Sequence, residues 1–191
     1  MQFDQYPAHT LMEITDRPPL VFVHGEGAWL WDNAGNRYLD FATIGKMLGG
    51  GVPLAALVAT EAVSCFAPGD QGGTFNGNPL MTAVGGAVLE AVLAPGFLET
   101  VQARGDYLAA QLASLSHRHR LGAMHGRGLL LAHDLRREIA TQVVERARDL
   151  GLLLNAPRPH LLRFMSAWNV SREEIDAMLG LLEQALTDRL I

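Results

Sequence analysis

A chain of 191 residues, 49% hydrophobic and 18% charged, can bury one sizeable core or two small ones and is too apolar to be disordered throughout. A net charge of -5 with no basic run or stripe excludes a nucleic-acid backbone as the obvious partner, leaving small molecules or protein. The single cysteine, Cys65, cannot form an internal disulfide, MQFDQYPAHT lacks the order of a secretory signal, and no apolar run reaches the roughly 18 residues of a membrane span, so the cytoplasm is the expected compartment.

Taken in chain order, LVFVHGEGAWLWDNAGNRYLDF (20–41) alternates apolar and polar positions around the turn Asp32–Gly35, which predicts an antiparallel strand meander. The text TIGKMLGGG (43–51) is too rich in glycine for the interior of a helix or strand, and the apolar run Val52–Ala59 after it reads as one buried strand. SCFAPGDQGGTFNGN (64–78) is a loop, and Asn78-Pro79 supplies an N-cap and a first helical residue for a helix whose Leu80, Val84, Ala87, Val88 and Ala91 share a face. Gly85 and Gly86 in that helix permit another backbone to approach closely. Pro95-Gly96 ends it, and Phe97, Val101, Leu108, Leu112 and Leu115 mark a second helix. Beyond residue 121 the order is a strand (GAMHGRGLLLAHDL), a helix from Glu138 to Leu150, two short strands (GLLLN and HLLRFM) and a last helix opened by a Ser171/Glu174 capping box. That order predicts a compact α+β unit.

The chemistry concentrates in two segments. Fourteen of the fifteen basic residues are arginine, so Lys46 is the only lysine, and only an amine can form a Schiff base with an aldehyde. It stands in Gly45-Lys46-Met47-Leu48-Gly49-Gly50-Gly51-Val52-Pro53, which is not a Walker phosphate loop, because there the glycines precede the lysine and Ser or Thr follows it. On glycine content alone a plain turn accounts for it equally well. Gly72-Gly73-Thr74-Phe75-Asn76-Gly77-Asn78-Pro79 sets a hydroxyl and backbone donors before a helix N-terminus, an arrangement that suits phosphate. Taken alone, simple capping by Asn78 explains it better. His117 and His119 among arginines read as a solvated helix end, with no metal site readable; His125 and His133 read as structural and Cys65 as a small core residue.

Together, Lys-x-Leu-Gly-Gly-Gly-x-Pro followed by Thr-Phe-x-Gly-Asn-Pro resembles class-III, fold-type-I aminotransferases that use pyridoxal 5'-phosphate. GEGAWLWDNAGNRYLDF is similar to that family's N-terminal strands and GRGLLLAHDL to its small-domain strand, while Leu-Leu-Asn-Ala and Leu-Arg-Phe point to the acetylornithine and succinyldiaminopimelate branch. The resemblance implies an α+β remnant of the fold-type-I transferase fold, mainly its small C-terminal domain plus the N-terminal antiparallel strands. It divides the chain into a strand segment at 1–42, a remnant of the large cofactor domain at 43–95, and a linking helix with the small domain at 96–191. It makes Lys46 the catalytic residue that binds the cofactor and moves a proton, Thr74 a cofactor-phosphate contact in a homodimer, and Arg163 the arginine that grips the substrate α-carboxylate. Gly73 stands beside Thr74 where the family often has a hydroxyl residue, which touches one substrate contact.

Between Phe41 and Gly45 the family carries most of its large domain, with a phosphate loop, an aromatic that stacks on the ring and an aspartate for the ring nitrogen; neither Asp40 nor Asp70 lies in matching text. The resemblance leaves three readings open. They are an aminotransferase exchanging the amino group of an N2-acetylornithine-like donor with 2-oxoglutarate, a non-catalytic remnant acting in self-association or heterodimerisation, and joined segments of a longer polypeptide. The first expectation for the chain alone is little or no turnover.

Overall fold

The expected meander is present in the computed structural model, which describes residues 22–26, 29–40, 47–56, 67, 69–70 and 72–187. Strands β1 (Phe22–Glu26), β2 (Trp29–Asp32) and β3 (Arg37–Asp40) pair antiparallel in succession. The β2–β3 turn is tied by the Asp32 carboxylate, which accepts from the Ala34 and Asn36 N–H groups at 2.9 and 2.8 Å, from Asn36 Nδ2 at 2.9 Å and from the Tyr38 hydroxyl at 3.0 Å. Those bonds, led by the Asn36 side chain, lower the pKa of Asp32, since each favours the charged form.

The chain divides into two compact units, Ile44–Thr100 and the rest, Met1–Thr43 with Val101–Ile191. In the larger unit a fourth strand completes the first sheet. β6 (Leu152–Leu153) lies parallel to β3, Leu39 opposite Leu152, both fully buried. A second, antiparallel sheet runs in the order β4 (Met124–Arg127), β5 (Leu130–Asp134), β8 (Leu161–Met165) and β7 (Asn155–Arg158).

The segment GAMHGRGLLLAHDL, expected as one strand, is therefore a hairpin. Gly128 takes φ +60° at its turn, and Gly126, at φ +115°, brings its backbone onto the carbonyl of Leu130 where a Cβ would collide. Glycine at alternate positions breaks the run, because the left-handed region disfavours any side chain with a Cβ.

One face of this second sheet is core. Leu131, His133, Leu162 and Phe164 are buried, alternating with less buried Ala132, Asp134, Arg163 and Met165, as the two-residue period of a strand requires. The core is completed by α2 (Phe97–His119) through Leu108, Leu112 and Leu115, by α3 (Ala140–Asp149) through Val143 and Ala147, and by α4 (Arg172–Thr187) through Ile175, Met178, Leu182 and Leu186. Each large apolar side chain buried this way contributes roughly 1.5–3 kcal/mol. Gly105 lets α2 lie against the hairpin turn, since a Cβ there would stand 2.7 Å from Cα of Gly128. The capping box at α4 forms in both directions: Ser171 Oγ accepts from Glu174 N–H at 3.1 Å and Glu174 Oε2 accepts from Ser171 N–H at 2.7 Å.

The smaller unit holds a 3-10 turn at Met47–Gly49 and α1 (Pro79–Leu93). The strand expected over Val52–Ala59 is absent from its described part, residues 52–56; residues 57–59 lie outside the described residues. Gly50 and Gly51, at φ +57° and +120°, curl the chain so that Val52 N–H reaches the Gly49 carbonyl at 3.2 Å, and Pro53 has no N–H for a ladder. Apolar composition alone does not make a strand without a partner.

Asn78 caps α1 as expected, with Pro79 at its first position. Gly85, buried in α1, allows Leu54 and the Leu48 carbonyl to close on the helix; nothing lies near Gly86. The helix face read as apolar is largely uncovered, with Leu80 65% exposed.

Candidate active-site residues

Lys46 and Cys65 lie outside the described residues. Gly73 and Thr74 sit in the loop that enters α1, both exposed. Asn76 N–H donates to the Gly73 carbonyl at 3.0 Å and Asn78 N–H to that of Phe75 at 3.3 Å, so the loop is a pair of tight turns with Gly77 at φ +67°. The Asn76 side chain leans over Gly73, and a Cβ there would meet it at 2.8–2.9 Å. A hydroxyl residue at this position therefore requires Asn76 to swing away, which is why glycine fits this loop.

The N-terminus of α1 is not a free phosphate cradle. Asn78 Oδ1 accepts from Leu80 and Met81 N–H at 3.0 and 3.4 Å, the Asn78 carbonyl accepts from Thr82 N–H at 3.0 Å, and Pro79 has no N–H. The first-turn donors are spent on the cap. A cleft of about 490 Å³ borders this loop, lined mainly by Pro53, Leu54, Phe75, Asn76 and Met81. It brings together the amide side chains of Asn76 and Asn78 and an apolar wall, and Thr74 does not line it. Among the described residues of this unit the carboxylates are Asp70, Glu90 and Glu99; Asp70 Oδ2 already accepts from Ala67 N–H at 2.7 Å, and the two glutamates lie exposed on helices. Thr74 is the hydroxyl that this loop can offer a phosphate.

Arg163 is the middle residue of β8. It pairs with Ala132 on one side and Asn155 on the other, and Ala132 in turn pairs with His125. The row Asn155–Arg163–Ala132–His125 thus crosses all four strands on the face away from the core. Among the described residues the Arg163 guanidinium enters no ion pair, and its Nε is buried without a hydrogen-bond partner. The nearest acid on this face, Asp134, is engaged in accepting from Arg136 N–H at 2.7 Å. A strand arginine satisfied by a surface carboxylate, the ordinary alternative, is not what this face shows.

The histidines separate by environment. His119 Nε2 and Arg118 Nε meet the same Glu183 oxygen at 3.1 and 3.0 Å, an ion-pair cluster linking α2 and α4 that holds the Glu183 carboxyl below its ordinary pKa, chiefly through Arg118. His125 is exposed; His133 is buried on the core face. Sequence reading used Asn155 only as part of the Leu-Leu-Asn-Ala text; among the described residues its Oδ1 is also buried and unpartnered, and its place directly opposite Arg163 is visible only once register is known.

Comparison with solved structures identifies the fold class. Acetylornithine aminotransferase from Elizabethkingia anophelis superposes with a TM-score of 0.57 at 23% identity, over 63% of this chain and 33% of that one. The fold is accordingly an α+β remnant of the pyridoxal-phosphate-dependent transaminase fold. The aminotransferase class-III family model matches residues 40–186, and the chain belongs to that family. A protein named acetylornithine aminotransferase in Ralstonia nicotianae is 57% identical over 150 residues, 77% of this chain and 38% of that relative. Acetylornithine aminotransferase 2 of Bordetella parapertussis is 52% identical over 147 residues, 75% of this chain and 37% of the relative. The chain thus matches less than two fifths of the length of these relatives.

Proposed function

We propose that this chain carries part of the active site of a pyridoxal-phosphate-dependent aminotransferase of the acetylornithine type, with N2-acetylornithine-like donors, 2-oxoglutarate as acceptor and a place in arginine biosynthesis in the cytoplasm. The observation that carries the reading is Arg163, an always-charged planar fork in mid-strand that enters no ion pair among the described residues, on a sheet face where a substrate carboxylate can reach it. The names of the 57% and 52% identical relatives support the donor class. Lys46 would hold the cofactor through its amine, and Thr74, with Gly73 beside it, would meet a cofactor phosphate across a homodimer. When bound, the cofactor supplies the electron sink for amino-group transfer.

Because the sequence offers no counterpart of the family's ring-stacking aromatic or ring-nitrogen aspartate, the chain alone is expected to turn over little or no substrate. A second reading, a non-catalytic module for self-association, is favoured by the exposed apolar side chains of α1.

Pyridoxal phosphate added to the purified chain, reduced with borohydride and followed by mass spectrometry, tests the first reading. With one lysine in the sequence, saturable labelling at Lys46 is the expected result. Label confined to the N-terminal amine would favour the second.

A further inference from the structure

We propose that Asn155 is a positioning residue for Arg163, its Oδ1 accepting from Nε–H so that the two Nη groups turn across the sheet, over Ala132, as the carboxylate-gripping edge. The inference rests on the carboxylate role proposed for Arg163. Two observations lead to it. Among the described residues, Arg163 Nε is a buried donor with no partner and Asn155 Oδ1 a buried acceptor with none. The two residues are register partners on adjacent antiparallel strands, β8 and β7, so their side chains rise from the same face. Cross-strand Cβ atoms lie about 5 Å apart, within reach of one bond once the two side chains settle into neighbouring rotamers.

A buried donor and a buried acceptor side by side, each unmet, have in the other the partner that removes both penalties. Asn155 also suits the task by charge. An aspartate here would accept from Nε–H equally well but neutralise the guanidinium, whereas a neutral amide orients the fork and leaves its charge for the ligand. The other neighbour completes the geometry. Ala132 is the smallest side chain in the row, and the space above it lies between Arg163 and His125. With Nε enclosed, a carboxylate can approach only the end of the guanidinium, through both Nη groups, and Ala132 leaves room for it.

The experiment uses the full chain labelled with nitrogen-15 on arginine. Water exchange of the Arg163 Nε–H is measured first without ligand, and the arginine resonances are then titrated with 2-oxoglutarate. The wild-type Nε–H is expected to exchange slowly. Asn155→Leu should lose that protection and bind 2-oxoglutarate about tenfold more weakly, while Asn155→Gln, which keeps the acceptor on a longer arm, should recover part of both. Unfolding midpoints of the three proteins confirm that the sheet is intact. Fast exchange in the wild type, or slow exchange that survives in Asn155→Leu, overturns the proposal. Absence of 2-oxoglutarate binding at Arg163 overturns the carboxylate role instead, and because exchange is read without ligand the two failures are distinguished.

Discussion

His133 is the buried group whose ionisation the fold resists. It is 1% exposed among apolar side chains, and among the described residues its Nε2 has no partner. Burial pushes its pKa below the ordinary histidine value, outweighing the Gly122 carbonyl and Asp134, which favour the charged ring. The sign follows directly. The unfolded chain takes up a proton on this ring as pH falls through about 6.5, while the folded chain holds it neutral until lower pH. Stability from His133 is therefore full above that value and declines below it. Urea unfolding from neutral pH down to about 5.5 should show a falling midpoint, and His133→Leu should flatten that dependence. An unchanged slope in the variant would assign the loss to other groups. That His133 is structural was readable from its strand setting; that it is an ionisation liability was not, because the inward face of β5 is fixed only by its pairing with β8.

At the scale of elements, the contact between α2 and the β4–β5 turn makes the sharpest prediction. A Cβ on Gly105 would stand 2.7 and 2.8 Å from the Cα and carbonyl carbon of Gly128, backbone atoms that cannot rotate aside. Alanine at this position gains up to about 1 kcal/mol of helix propensity and loses about 1–3 kcal/mol to overpacking, so Gly105→Ala should lower the unfolding midpoint. Gly86→Ala on α1 is the matched control. Nothing lies within 4 Å of its new Cβ, so the helix gain stands alone and hydrogen exchange in α1 should slow.

These two glycines show what sequence pattern conveys about elements. The helices α1 to α4 were legible because their signals are local: Asn78-Pro79, Pro95-Gly96, the Ser171/Glu174 box and runs of leucine at helical spacing. Strand β6 was legible within GLLLN, but its parallel pairing with β3, over a hundred positions away, leaves no local signal, and the β4–β5 hairpin hides in an apolar run. Val52–Ala59 failed for the opposite reason. Its composition suits a strand, but a strand exists only with a partner, and the described part has a single isolated bridge from Val52 to Gly50. The candidate site divides in the same way: Arg163 was named from its motif, whereas the placing of Asn155 beside it follows only from cross-strand register.

For the molecule as a whole, association is the property that α1 dictates. Among its fifteen residues the only charged one is Glu90, and helices apolar on every side are ordinarily buried on every side. Here Leu80, Leu89 and Leu93 are 65%, 51% and 68% exposed, and Phe75 in the preceding loop is 82% exposed. Residues 52–56 form no strand whose unpaired edge could drive association, so these side chains carry the case for self-association. Sedimentation velocity from about 1 to about 100 µM should show a coefficient that rises with concentration. Because the contact is apolar, sodium sulfate should strengthen it, whereas an assembly held by ion pairs would weaken as salt screens it. Leu80→Glu combined with Leu93→Glu places charge on the exposed side of the helix, where neither leucine is needed for the core. That double variant should sediment as a monomer with an unchanged unfolding midpoint. A wild-type coefficient constant over the whole range would show that α1 is covered within one copy, and the self-association reading would fall with it.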